Sequence, residues 1–288
     1  MADKQKTYSL EALQKKANQI REDIIKMLEH AGSGHSAGPL GLADIFTALY
    51  FHLMKYDPQN PDWDERDILL LSNGHCVPVQ YATMAHAGFF PIKELMTLRQ
   101  FGSRLQGHPE RERLPGLENT SGPLGSGLSQ AAGIALAMRI DKTQHRWVYV
   151  ILGDGEQDEG NIWEAAMLAS KYRLSNIIAI TDRNNIQIDG PTETVMPLGD
   201  LRTKWEAFGW HVLEINGNDM EAVIDAVQMA KAIVEQPVMI IAHNVPGKGV
   251  DFMEYDFHWH GVTPNHEQAV KALKELRTLG GKIRSEHE

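Results

Sequence analysis

One stretch limits the possible folds more than any other: Trp147 to Gly190. Residues 147–152 are apolar and largely β-branched or aromatic, and the run stops abruptly at Gly153-Asp154-Gly155. A helical pattern follows, with Ile162, Ala165, Ala166, Leu168 and Ala169 on one side. A second β-like run, residues 177–180, ends in Thr181-Asp182-Arg183-Asn184-Asn185. Strand, helix and strand at this spacing predict a βαβ unit with parallel strands. Their C-terminal ends then share one sheet edge, where open α/β sheets bind ligands.

That edge carries Asp154 after the first strand and Asn184 after the second. Both offer hard oxygens, and a divalent cation such as Mg²⁺ takes about six, several from phosphate or water. Gly153 and Gly155 let the backbone approach such a group closely. The acidic residues Glu156, Asp158 and Glu159 open the next helix, where the helix dipole favours carboxylates, so part of that charge is capping. Taken alone, Gly-Asp-Gly also suits a tight turn. The Asn184-Asn185 pair, about thirty residues on and after a second strand, points instead to a cation–diphosphate site.

Composition narrows the class. A net charge of −10 and the lack of a basic block argue against nucleic-acid binding. An acidic chain that holds a diphosphate needs a local positive charge, and a metal ion supplies one. The single cysteine, Cys76, excludes an internal disulfide and a thiolate zinc cage, and fits a reducing compartment. The N-terminal residues lack a signal-peptide core, and no apolar run is long enough to span a bilayer. These features predict a cytoplasmic protein with no membrane partner.

The rest of the chain reads as one domain, residues 1–288, of alternating helices and strands. Residues 9–31 form an amphipathic helix capped by Ser9. The segment Ala31 to Pro39, with three glycines, reads as irregular. Helices are expected over 42–54, 78–87, 92–101, 128–138, 205–208, 220–234 and 266–276. Further strands are expected at Ile68–Leu71, 210–215 and 238–242. Residues 102–127, with six glycines and three prolines, form a long loop of the functional kind. It ends in Gly122-Pro123-Leu124-Gly125-Ser126-Gly127, readable as an anion cradle at a helix start or as close helix packing through glycine. The polar tail 280–288 is expected to fray.

Four of the 13 histidines adjoin a glycine in irregular segments: His35, His75, His108 and His260. Imidazole changes protonation near neutral pH, so such a set suits proton transfer and hydrogen bonding to hydroxyls or phosphate. The spacings are not those of a zinc site.

The Gly153-Asp154-Gly155…Asn184 pattern resembles the diphosphate-anchoring motif of thiamine-diphosphate enzymes. Five further segments are similar to transketolase: Ser33-Gly34-His35-Ser36-Ala37-Gly38-Pro39-Leu40-Gly41, Leu71-Ser72-Asn73-Gly74-His75, Gly107-His108-Pro109-Glu110, Thr120-Ser121-Gly122-Pro123-Leu124-Gly125 and Trp259-His260-Gly261. The resemblance follows the family's order over nearly the whole chain. It implies an α/β fold, a mainly parallel central sheet with helices on both faces, binding thiamine diphosphate and Mg²⁺ or another divalent cation such as Ca²⁺ or Mn²⁺.

By the same resemblance, Asp154, Asn184 and the Ile186 carbonyl would hold the metal. Gly155, His75 and His260 would contact the diphosphate, and the Gly122 and Leu124 backbone would lie near the aminopyrimidine. His35, His108 and His260 would line the substrate channel. Glu159 and Glu164 resemble residues at the subunit interface near the cofactor. Ser36 replaces the family's usual proline, and Ser126 a frequent glutamine.

Nothing after Leu276 could encode the family's pyrimidine-binding and C-terminal domains. The expectation is therefore the N-terminal subunit of a split transketolase. Its partner subunit would carry those domains, in a heterotetramer acting on sugar phosphates. The alternatives are an α-type subunit of a 2-oxo-acid dehydrogenase or synthase, or a diphosphate-binding scaffold without chemistry.

Overall fold

The computed structural model describes residues 8–287; residues 1–7 and Glu288, the last residue of the expected tail, lie outside the described residues. Five strands form one parallel sheet: β1 (Ile68–Leu71), β2 (Val148–Gly153), β3 (Ile177–Asp182), β6 (His211–Asn216) and β7 (Val238–His243), in the order β1-β2-β3-β7-β6. A short antiparallel pair, β4 (Ile186–Gln187) and β5 (Gly190–Pro191), follows β3 and leads into a one-turn helix, α7 (Thr192–Val195). The βαβ reading of residues 147–190 holds: α6 (Gly160–Lys171) joins β2 to β3, and Gly153 lies opposite Asp182.

The central strands are buried on both faces, which is why they read as continuous apolar runs rather than alternations. Side chains alternate between two cores. Tyr149, Ile151, Ile178, Ile180 and Ile240 face the layer with α1 (Leu10–Ala31), α3 (Ala43–Ala48), α4 (Val77–Ala87) and α9 (Met220–Ala232). Val148, Val150, Leu152, Ala179 and Ile241 face α5 (Ser126–Ile140), α6 and α8 (Leu201–Ala207). Helices thus cover both faces of the sheet, as the resemblance implies.

Three segments depart from the sequence reading. Residues 37–39, expected to be irregular, lie in a one-turn helix, α2 (Ala37–Gly41). Pro39 fits there because first-turn residues need no backbone N–H donor. Gly38 is required, since a Cβ would sit 2.7 Å from the Cys76 sulfur. Residues 92–101, expected to be a helix, form only a 3₁₀ segment (Ile92–Thr97), and Arg99 then adopts φ +59°. The last helix does not stop at Leu276: α10 runs His266–His287 and packs along α1. Leu276 and Ile283 are buried, and Gly280 lets α1 come close beside Asn18, whose Nδ2 donates to the Leu276 carbonyl at 3.0 Å. That glycine serves helix approach rather than ending the helix.

A buried ion pair between Arg21 and Asp44 joins α1 to α3, with Arg21 Nε also donating to the Leu40 carbonyl at 3.0 Å. This pins the segment after His35 against the first helix. The strand tips, the loop before α2 and the loop after β7 then meet at one sheet edge.

Candidate functional site

The tip of β2 places Asp154 with 2% exposure. Its Oδ1 accepts from the Gly155 amide at 2.7 Å. Its Oδ2 accepts from the Asn185 amide at 2.7 Å, from Arg183 Nη1 at 3.2 Å and from Thr192 Oγ1 at 3.2 Å. Oδ2 is therefore saturated by protein donors, whereas Oδ1 keeps a lone pair. Burial raises this carboxyl above its ordinary range, and the Arg183 charge opposes that shift.

Two residues past β3, Asn184 is also buried. Its Nδ2 donates to Asp182 Oδ2 at 2.8 Å, and its Oδ1 accepts from the Ile186 amide at 3.0 Å. Asp182 accepts a further bond from Asn244 Nδ2 at 2.6 Å. Burial pushes the Asp182 carboxyl up to about 7, and the Asp154 charge adds to the rise. One carboxylate, one amide and the Ile186 carbonyl are too few donors for a cation alone. Among the described residues, no three His, Cys, Asp or Glu side chains gather to hold a metal. This donor set suits a hard cation that takes its remaining oxygens from a phosphate-bearing group or water.

The four histidines singled out in the sequence converge, although 225 positions separate His35 from His260 in the chain. The His35 and His75 ring centroids lie 4.9 Å apart, His75 and His260 5.1 Å, and His35 and His260 5.6 Å. His108 stands beside Gly122, where a Cβ would lie 3.9 Å from its ring. Gly74 allows the β1 tip to lie directly on Ser121 and Gly122. Gly261 sits against Ile188 and His35. His258 is different: it is exposed, bonded to Asp256 Oδ1 at 2.6 Å and stacked on Phe257.

Burial is the main reason that all four clustered imidazoles resist protonation. Their mutual repulsion and the Arg99 charge add to it at His35, and Arg99 adds to it at His108. Among the described residues, no carboxylate offsets this at any of the four. The cluster is therefore neutral at pH 7, able to donate through one ring nitrogen and accept through the other. His35 and His260 each keep a buried Nδ1 without a partner, as do Ser121 Oγ and Asn73 Oδ1. Such atoms cost about 1–3 kcal/mol each when unmet, and they suit a polar ligand. The residues present thus fit a diphosphate cofactor with a cation.

A pH dependence follows. The folded pKa of His35 is lowered from 6.5 to about 4, so the unfolded chain binds more protons between those values. This contribution to stability is complete above pH 6.5 and is lost as pH falls toward 4. The thermal midpoint is expected to fall across that window, and His35→Gln to flatten the slope. An unchanged slope in the variant would contradict the assignment.

Other expected site residues stand as follows. Gly155 adjoins the Gln187 side chain, and Gly122 and Leu124 are half-buried on the loop before α5. Glu159 and Glu164 are exposed, at the start of α6 and on it. Ser36, fully buried, donates to the Val262 carbonyl at 2.7 Å and so ties the His35 segment to the loop after His260. Ser126 Oγ donates to the Pro123 carbonyl at 2.8 Å.

Three residues escape the sequence reading: Glu156, Asp182 and Arg183. Glu156 reads as part of an acidic helix opening, yet it is 2% exposed whereas Asp158 and Glu159 are exposed. Its carboxylate takes the Gly125 amide at 2.6 Å. The glycine-rich segment before α5 is therefore not free to cradle an external anion at that amide, and Gly127 packs on Ser72. The packing alternative holds there. No local pattern distinguishes Glu156 from its acidic neighbours; only burial does.

A family model described as "Transketolase, thiamine diphosphate binding domain" matches residues 12–282. The chain is 44% identical over 268 residues to a 6-deoxy-6-sulfo-D-fructose transketolase subunit of Clostridium sp., covering 93% of this chain and 97% of that protein. It is 41% identical over 278 residues to one subunit of the apulose-4-phosphate transketolase of Phocaeicola vulgatus, covering 96% and 98%. Human transketolase is 37% identical over 268 residues, but the match spans only 42% of that protein. A transketolase structure from Pichia stipitis superposes with a TM-score of 0.87 at 33% identity, over 95% of this chain and 41% of that one. The chain thus spans about two fifths of the full-length transketolases it matches, and almost all of relatives named as subunits. With the histidine cluster and the Asp154–Asn184 strand tips arranged as above, the chain belongs to the transketolase family, as its thiamine diphosphate binding domain.

Proposed function

We propose that this chain is the N-terminal subunit of a split transketolase, which moves a two-carbon ketol unit from a ketose donor to an aldose acceptor. The observation that carries this reading is the meeting of four neutral histidines beside the Asp154 and Asn184 strand tips. The near-complete match to proteins named as transketolase subunits supports the partner requirement. Two relatives are named for sugars with an anionic group, a sulfo group and a phosphate, so the proposed donor is an anionic ketose.

When bound, thiamine diphosphate supplies the nucleophilic carbon and electron sink for ketol transfer. Asp154, Asn184 and the Ile186 carbonyl would hold Mg²⁺ or a similar divalent cation against the diphosphate. The Gly155 backbone, His75 and His260 would contact the diphosphate itself. Gly122 and Leu124 would present backbone groups to the aminopyrimidine. His35, His108 and His260 bind and orient sugar hydroxyls, and their neutral rings accept or return a proton without a charged resting state. Glu159, which precedes α6, and Glu164 on it are exposed and would face the partner subunit. That subunit would supply the pyrimidine-binding and C-terminal domains, in a heterotetramer.

No helix among the described residues is long and apolar enough to cross a membrane. We place the complex in the cytoplasm, in keeping with the single cysteine.

The test mixes this chain with a candidate partner carrying the missing domains, the cofactor and Mg²⁺. Ketol transfer and oxo-acid decarboxylation are then both assayed. Ketol transfer only with both chains present is the expected result. Activity confined to oxo-acids, or none with any such partner, would sink the reading.

A further inference from the structure

Glu156 lies where three segments meet, and each segment carries a residue expected at the cofactor. Its Oε1 accepts from the Gly125 amide at 2.6 Å and from the Ser72 hydroxyl, and its Oε2 accepts from the Gly153 amide at 2.8 Å. Ser72 Oγ in turn accepts from the Gly127 amide at 3.0 Å. Ser72 starts the turn that leads to His75, Gly153 immediately precedes Asp154, and Gly125 immediately follows Leu124. We propose that Glu156 is the positioning residue of the cofactor cradle, holding the His75 turn, the Asp154 tip and the Gly122–Leu124 loop in fixed mutual placement.

The proposal rests on the cofactor reading above, because the three segments matter only if they meet one ligand. Its chemistry is specific to a carboxylate. Both oxygens face donors, two of them backbone amides that cannot turn away. Asp158 and Glu159 are exposed and make no equivalent contact. A glutamine in the same place would keep one oxygen but aim an NH₂ group at a donor, leaving a backbone amide unmet. The packing tolerates no easy substitute: a Cβ on Gly127 would lie 2.9 Å from the Ser72 Cα, so the α5 start and the β1 tip are already in contact. Because Glu156 occupies the Gly125 and Gly153 amides, those groups do not face the diphosphate. The Gly155 amide is likewise taken, by Asp154 Oδ1 at 2.7 Å, so anchoring is left to the metal donors and the histidines.

The test uses Glu156→Gln, with calorimetric titration of thiamine diphosphate and Mg²⁺ into the two-subunit complex. Peptide-level hydrogen exchange on the free chain is measured alongside. Cofactor affinity is expected to fall about tenfold, the scale of one lost buried hydrogen bond. Exchange should rise together in peptides covering Gly125 and Gly153. Ser72→Ala removes one arm and should weaken affinity less. The double variant should be no weaker than Glu156→Gln alone, because both act through one network. A lowered melting temperature with unchanged affinity would reduce Glu156 to a packing role and overturn the proposal. So would faster exchange at Gly153 alone. Asp154→Asn serves as the reference. If it leaves binding intact, the cofactor reading itself fails. If it abolishes binding while Glu156→Gln does not weaken it, only this inference fails.

Discussion

Asp154→Ala is expected to abolish Mg²⁺-dependent binding of thiamine diphosphate to the assembled complex, with no measurable heat on titration. Asp154 is the only carboxylate among the proposed donors, and its neighbours hold it in one orientation: Arg183 Nη1, the Asn185 amide and Thr192 Oγ1 all engage Oδ2. Loss of residues that merely orient a metal ligand costs about 10–100-fold in affinity, so loss of the ligand itself should exceed that. The alanine variant also removes one of the two carboxylates that pair with the Arg183 guanidinium, which is only 8% exposed, and leaves it Glu193 alone. Removing one carboxylate from a buried ion pair destabilises the fold, so part of the effect is lost folding. Asp154→Asn separates the two. It keeps an acceptor for the Gly155 or Asn185 amide and nearly the same volume, but removes the charge. A folded Asp154→Asn complex with unchanged affinity would refute the assignment.

His260→Ala is expected to lower turnover about 100-fold, within the range of a lost general acid or base, while changing cofactor affinity much less. The ring stands 5.1 Å from His75 and 5.6 Å from His35 by centroid, and its Nδ1 is buried without a protein partner. Burial depresses its proton affinity, so it rests neutral and can take a proton from a hydroxyl. The reverse pattern, intact turnover at saturation with weakened binding, would move His260 from proton handling to anchoring. His258→Ala is the control. That ring is exposed and bonded to Asp256 in its own loop, so kinetic change is expected to stay slight.

Much of the fold was legible because its signals are local. The runs that became β2 and β3 are apolar at nearly every position, and the glycines and acids after them stop the strands. Parallel strands then bring Asp154 and Asn184 to one edge without any knowledge of tertiary contacts. Two of the misreadings share a different cause. Pro39 and the glycines of residues 32–38 looked like breakers, yet α2 forms because Gly38 and Gly41 fit against Cys76 and Val245. The Gly280 region looked frayed, yet it lies along α1. In each case a glycine serves close approach between distant segments, and its sequence neighbours carry no sign of that.

The amino-acid order by itself determined the alternation of strands and helices, the sheet edge that carries the chemistry, and the histidines adjoining glycine. These follow from periodicity and strand termination, which act over a few residues. Only the tertiary structure decided that His35, His75 and His260 share one cluster, that His258 does not, and that Glu156 is a buried hub rather than a helix cap. Those outcomes depend on burial and on contacts across long chain separations. The free energy of a carboxylate or an imidazole is set by what surrounds it, and only the folded chain supplies those surroundings.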